Sequence, residues 1–252
     1  LNDGSINFII TDFNKEMLEN NYLRESAIVE SDESLLWKLR SENVGSFNGN
    51  IFPKVLNTNW VRRNSVNQNI GLEGTNILSR AILESWNRGG SHEEKTFSDL
   101  ILSNGNKNSK NVLSRFKAHL ISQGADHSLY NHNRRFYYDP LNETFIPIYY
   151  DGDSKVRDLK KLNEFIFTKN IDKRVLTRDI TNTNIENSIK EIRKINLKKF
   201  EKKLNSSGIY LKKNEIEQIT KNIISNLKEL KKYIYENSEI KLYKNPLTRD
   251  NN

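Results

Sequence analysis

The sequence predicts an α+β fold, predominantly helical, built around a central β-hairpin and closed by a C-terminal helical hairpin. Three observations predict it. Two aromatic-rich runs, residues 134–139 and 144–150, flank Pro140-Leu141-Asn142-Glu143, where proline fixes one backbone angle and asparagine tolerates the unusual ones. Apolar residues recur at steps of three and four from Ile185 to Leu204 and again from Ile216 to Ile234, the spacing of a helical stripe. The same spacing marks Ile77, Leu78, Ala81 and Ile82, and then Val112, Leu113, Phe116 and Leu120, so helices precede the hairpin as well as follow it.

Taken in order, residues 8–10 read as a short strand, and residues 14–18 and 32–37 as helix starts, with acidic and small polar residues where exposed backbone N–H groups favour them. Residues 45–55 form a loop entering a strand that carries Lys54. That lysine is a candidate for gripping ATP phosphates; the plainer account is an exposed strand lysine. Trp60-Val61-Arg62-Arg63 is a basic, aromatic cluster of a kind that can hold phosphate. Arg62 and Arg63 are equally explained as solvated residues beside an anchored tryptophan. A helix over 72–86 ends at Gly89-Gly90, and 97–102 reads as another short one. Ser109 is the expected N-cap of the next helix and Gly124 its terminator. Beyond the β-hairpin, 155–167 reads as helical and 171–180 as extended. Asn214 with Glu217 reads as a capping pair, Ser206-Ser207-Gly208 begins the connection between the last two helices, and residues 241–252 form a polar tail.

Composition narrows the function classes. A chain of 252 residues can hold one substantial core or two small ones. Hydrophobic content is only 35% and charged content 29%, yet aromatics make up 10%, which argues against disorder. The net charge of +8 suits a polyanion such as ATP, nucleic acid or an anionic membrane surface. Much of that charge falls on the outer faces of the last helices, where a solvated face explains it, so no specific nucleic-acid partner is expected. The absence of cysteine excludes disulfides and thiolate metal sites. No apolar run approaches the roughly 20 residues of a transmembrane helix, and no signal peptide is visible. The chain starts at Leu1, so its start reads as truncated or processed; a cytoplasmic location is weakly favoured, and the oligomeric state is open.

The chemistry concentrates between Gly124 and Asp153. In a hairpin the start of the first strand lies beside the end of the second. Asn131 and Asn133 are thereby expected near Asp151 and Asp153, with Asp126 arriving on the loop just before them. Converging amide and carboxylate oxygens are hard ligands suited to Mg²⁺ on phosphate. A further carboxylate could take the proton of an attacking hydroxyl. Asp126 and Asn131 stand in the D-x-x-x-x-N relation of a kinase catalytic loop, and Asp151-Gly152-Asp153 occupies the place of an Asp-Phe-Gly element. The bland account is that Asp and Asn are ordinary turn residues in an asparagine-rich chain. His119, His127 and His132 invite a zinc reading, but with neither cysteines nor an H-E-x-x-H element none is expected.

The run from Asn133 through Asp139-Pro140 to Phe145, Pro147 and Asp151-x-Asp153 resembles the core of the CotH kinases, an atypical, spore-coat-type kinase family. The resemblance covers roughly thirty residues, about an eighth of the chain. It implies a kinase-like C-lobe, ATP and Mg²⁺ as cofactors, and a protein Ser/Thr or sugar hydroxyl as acceptor. It implies Asp126 as the catalytic aspartate, Asp151 as the principal metal ligand and Asp153 as a second. For the amide ligand the family analogy favours Asn133, whereas the general kinase spacing favours Asn131. The implied division is a catalytic core over 1–175, its nucleotide-binding lobe divergent or partly missing, with a helical hairpin over 176–252 packed on it. Three departures stand out: Tyr150-Asp151 replaces the family's Trp-Asp, two extra residues separate Pro147 from the aspartate, and the arginine- and glycine-containing opening of the nucleotide lobe has no clear counterpart. The alternatives are a catalytically degenerate kinase-like scaffold or nucleotide-binding module, and a metal-dependent nuclease using Asp151, Asp153 and Lys155.

Overall fold

Four short strands form one antiparallel sheet in the order β2-β1-β3-β4. The computed structural model describes residues 27–32, 52–87, 99–129, 133–150, 152, 154, 156 and 177–238. Strands β1 (Ile28–Asp32) and β2 (Phe52–Val55) pair with each other, and β1 pairs on its other side with β3 (Arg135–Asp139). The expected hairpin is present, with β3 joined to β4 (Thr144–Ile148) in a register running from Arg135 opposite Ile148 to Asp139 opposite Thr144. Asp139 organises its turn: one carboxylate oxygen accepts the backbone N–H groups of Leu141 at 3.0 Å and Asn142 at 3.3 Å, and the other accepts the Asn142 amide at 2.7 Å. Of the helix start expected over 32–37, Asp32 is the last residue of β1, and 33–37 lie outside the described residues. The β-branched pair Ile28-Val29 favours the strand.

One face of the sheet carries the row Val55, Val29, Phe136 and Pro147. With Tyr138 and Phe145, this face packs on Leu78, Ala81 and Ile82 of α2 (Ser65–Asn87), on Leu102 of α3 (Asp99–Leu102) and on Leu113. A short α1 (Thr58–Val61) buries Trp60 in the same cluster. Helix α2 starts well before residue 72, because Gly71 and Gly74 permit contact here instead of breaking the helix. A Cβ at Gly74 would stand 3.1 Å from Tyr138 Cγ, and one at Gly71 3.2 Å from Val61 Cγ2.

Helix α4 (Lys107–Ser122) begins one turn's worth of chain earlier than expected. Asn106, not Ser109, caps it: the Asn106 side chain accepts from the N–H groups of Asn108 at 2.9 Å and Ser109 at 3.2 Å. At its other end Gly124, at φ +63°, makes the anticipated stop, with Ala125 N–H donating to Leu120 O at 2.8 Å and Gly124 N–H to Ile121 O at 3.0 Å. A 3-10 turn, Asp126–Leu129, follows.

The C-terminal stripes form three helices, α5 (Asn182–Arg193), α6 (Leu197–Ser206) and α7 (Lys213–Ser238), not two. Asn196 interrupts the first stripe by capping α6 through a 3.1 Å bond from Lys199 N–H. The α7 cap also differs from the Asn214/Glu217 pair: Glu215 accepts the Lys212 N–H at 2.7 Å, and Glu217 instead faces Lys213. Thr177 to Ile180 is a turn closed by a 3.0 Å bond from Ile180 N–H to Thr177 O, not an extended segment. Helices α5 and α7 pack directly on α4, where Ile185, Ile189, Ile223 and Leu227 share a core with Leu120, Ile121, Ala125 and Leu129.

The described fold is mostly helical with a small antiparallel sheet. Among the described residues no helix is long and apolar enough to cross a membrane. The elements expected at 8–10, 14–18, 155–167 and 171–176, the boundary at 175/176 and the tail 241–252 lie outside the described residues.

Candidate functional site

The corner between α4 and β3 carries the site. Because α4 is buried along most of one side and stops sharply at Gly124, its C-terminus delivers Asp126 at a fixed point. Asp126 is only 2% exposed, and its Oδ2 is enclosed without a hydrogen-bond partner. Burial raises its pKa from the ordinary 3.8 to about 6, against a smaller opposing contribution from its own backbone N–H. Asn133, buried at the end of the same loop, donates its Nδ2 to the His127 carbonyl at 3.1 Å. That bond ties the amide to the residue after Asp126 and leaves Oδ1 as the atom able to face a cation.

The chain returning from the hairpin is tied to both sides of this corner. Ser128 Oγ donates to the Tyr150 carbonyl at 2.6 Å, and Ser154 Oγ donates to the Gln123 carbonyl at 3.1 Å. Gln123 and Ser128 bracket Asp126 in sequence, as Tyr150 and Ser154 bracket Asp151 and Asp153. Between the two ties Gly152 is buried against Tyr149, where a Cβ would come within 2.5 Å of ring atom Cε2. The guanidinium of Arg135 lies 3.2 Å above the Tyr150 ring, and that of Arg134 lies 5.0 Å from the Phe136 ring.

Of the residues the sequence singled out, Asp126 and Asn133 are both buried at this corner, joined through the His127 carbonyl next to Asp126. Asn131, Asp151 and Asp153 lie outside the described residues, as do His132 and Lys155. Lys54 is exposed on edge strand β2, in the cross-strand row Lys54, Glu30, Arg135. Alternation puts it on the same face as Arg135, two strand spacings or about 10 Å away. Arg62 and Arg63 are exposed in the turn between α1 and α2, on the helical side of the sheet, and no described contact joins them to Asp126. Gln123, Ser128 and Ser154 were not anticipated, because a glutamine at a helix end and two serines carry no spacing signal.

Among the described residues no three His, Asp or Glu side chains cluster as a metal cage. Burial and the nearby Arg115 lower the His119 pKa to about 4, so its imidazole is neutral at pH 7. A cleft of about 860 Å³, lined by Glu73, Arg80, Asn104 and Glu143 among others, opens at the turn end of the hairpin. A five-residue strand, about 16 Å, separates that end from the corner. No family model, curated protein or solved structure matches the chain, so the chemistry of the corner has to be judged on its own geometry.

Proposed function

We propose that the chain is an ATP- and Mg²⁺-dependent phosphotransferase of the CotH kinase-like type, with a kinase-like C-lobe that includes α4 and the β3–β4 hairpin. The carrying observation is Asp126: a nearly fully enclosed carboxylate, without a hydrogen-bond partner at Oδ2, whose proton affinity is raised toward neutrality, at a corner tied to both ends of the Tyr150–Ser154 stretch. A general base works best when its pKa approaches the operating pH. In the proposed reaction the oxygen of a protein Ser/Thr or sugar hydroxyl forms a bond to the γ-phosphorus of ATP. The bond to the bridging oxygen breaks, ADP leaves with that electron pair, and the hydroxyl proton passes to Asp126.

The donor set at the corner suits a hard cation on one side only: Asn133 Oδ1 is available, and the carboxylates of Asp151 and Asp153 would complete the set. Bound there, Mg²⁺ would supply neutralisation of phosphate charge. Lys54, on the Arg135 face of the sheet, would be the basic residue that meets a phosphate. In the test, purified protein is incubated with labelled ATP and Mg²⁺. Label passes to the protein or to an added acceptor, and Asp126→Ala and Asp151→Ala each abolish transfer without unfolding the chain. No transfer by a folded protein to itself or to protein and sugar acceptors would overturn this reading.

One observation favours a second reading. Asp126 is 2% exposed, so an acceptor has to enter a closed corner, as befits a degenerate kinase-like module that scaffolds partners. Thermal-shift titration separates the two, because such a scaffold would show little Mg²⁺-dependent stabilisation by ATP.

A further inference from the structure

Asp126 Oδ2 is not alone in lacking a partner. Gln123, which caps α4, is 0% exposed, and both polar atoms of its side chain, Nε2 and Oε1, are enclosed without a hydrogen bond. One turn back on the same helical face, at the i−4 position, His119 Nδ1 is also enclosed and without a partner. Four such atoms therefore fall within eight consecutive residues. Folded proteins leave few buried polar groups unpaired, and each costs about 1–3 kcal/mol when nothing meets it. A side chain as adaptable as glutamine would normally reach a backbone group or solvent. Here neither end of the amide does so.

We propose that Gln123 and Asp126 together hold a hydroxyl-bearing guest: an enclosed water in the resting protein, displaced in the working one by the hydroxyl of the acceptor. The donors and acceptors match. Gln123 Nε2 is a donor, and Gln123 Oε1 and ionised Asp126 Oδ2 are acceptors; water carries two O–H donors and two lone pairs, and an alcohol has one O–H for Asp126 Oδ2 and a lone pair for Gln123 Nε2. The reach matches as well. Three peptide units cap the Cα separation of the two residues at about 11 Å, and the side chains with one or two waters span that distance. The corner is also closed around both: Ser154 holds the Gln123 carbonyl, and Ser128, two residues beyond Asp126, holds Tyr150. Gln123 is thus a positioning residue, presenting the guest oxygen while Asp126 takes its proton. This inference deepens the phosphotransferase reading, and its main test does not depend on activity.

The test is a double-mutant cycle on the full chain at about pH 7.5, using urea unfolding of the wild type, Gln123→Met, Asp126→Asn and the double variant, with Gln123→Leu in reserve if the methionine variant misfolds. A shared guest makes the two effects non-additive: the unfolding constant of the double variant departs by more than about three-fold from the product of the single effects. Agreement within about three-fold overturns the proposal. A crystal structure supplies the second measurement. Solvent density within about 3 Å of both the Gln123 amide and Asp126 Oδ2 supports the guest, whereas a dry contact or an empty void there overturns it. If the wild type transfers no phosphoryl group, the proposed function fails while the cycle still decides whether the guest exists. If it does transfer, Gln123→Met lowers turnover at least about ten-fold with the ATP KM unchanged, and normal turnover overturns the positioning role.

Discussion

Asp126→Asn isolates the cost of keeping a carboxylate in this enclosure. The folded-state pKa lies above the unfolded one, at about 6 against 3.8, so the folded chain binds the proton more tightly. Stability from this group is therefore full at low pH and is lost as pH rises between those values. At about 1.36 kcal/mol per pH unit, the complete loss is about 3 kcal/mol. Asparagine keeps the shape and cannot ionise. The variant is expected to be more stable than the wild type by up to about 3 kcal/mol at about pH 7.5, and the gap to shrink below about 1 kcal/mol at about pH 4. Urea unfolding midpoints at the two pH values measure it directly. A variant that is less stable at neutral pH, or a gap independent of pH, would refute the claim that burial sets the proton affinity. A gain in stability together with loss of the proposed phosphoryl transfer would be the trade-off expected of a buried polar group retained for function.

Three further outcomes follow from particular contacts. Gly152→Ala forces a Cβ against the buried Tyr149 ring and is expected to cost about 1–3 kcal/mol by calorimetry, with phosphoryl transfer falling too because the stretch between the Ser128 and Ser154 ties is displaced. Lys117 Nζ, wholly buried, lies 3.2 Å from Asp179; Asp179→Ala is expected to cost about 3 kcal/mol in urea, and the apolar double variant Lys117→Met/Asp179→Leu less than that. Asn226→Leu removes the 2.8 Å bond from the Asn226 amide to the Ser122 carbonyl and is expected to cost about 1–3 kcal/mol, with faster hydrogen exchange at the α4 C-terminus.

The β3–β4 hairpin was legible because its signals are local: aromatic and β-branched residues flank a turn whose Asp139, Pro140 and Asn142 do their work within four positions. The α4 stop at Gly124 was legible for the same reason. Signals that depend on distant partners were not. Helix α2 begins at Ser65 rather than 72, and the role of Gly71 and Gly74 in it, close contact with Val61 and Tyr138, has no local signal. Strand β1 has five residues, and one of its partners, β3, follows about a hundred residues later, so no local signal announced it. Two good caps compete near 106 and 109, and local chemistry does not rank Asn106 above Ser109. At the corner, Asp126 could be named from Gly124 and the following asparagines. Gln123 could not, since the feature that singles it out is total enclosure, which no local pattern encodes.

The position of Asp126 also depends on the C-terminal helices. Helix α4 contributes Leu113 to the core under the sheet and Phe116, Leu120 and Ile121 to the core under α5 and α7, so it joins the two. An apolar stripe alone tolerates small slides along a neighbouring helix, because dispersion contacts are individually weak and non-directional. Three polar ties remove that freedom: Asn184 to Ser114 at 3.0 Å, Asp179 to Lys117 and Asn226 to the Ser122 carbonyl. All three reach α4 within the twelve residues before Asp126, and the last grips the residue preceding Gln123. A half-ångström shift of α4 would stretch hydrogen bonds that have no solvent to replace them. The turn at Asp179 and helices α5 and α7 therefore fix the register from which the corner is projected. Their lysine-rich outer faces are free to vary while their inner faces are not.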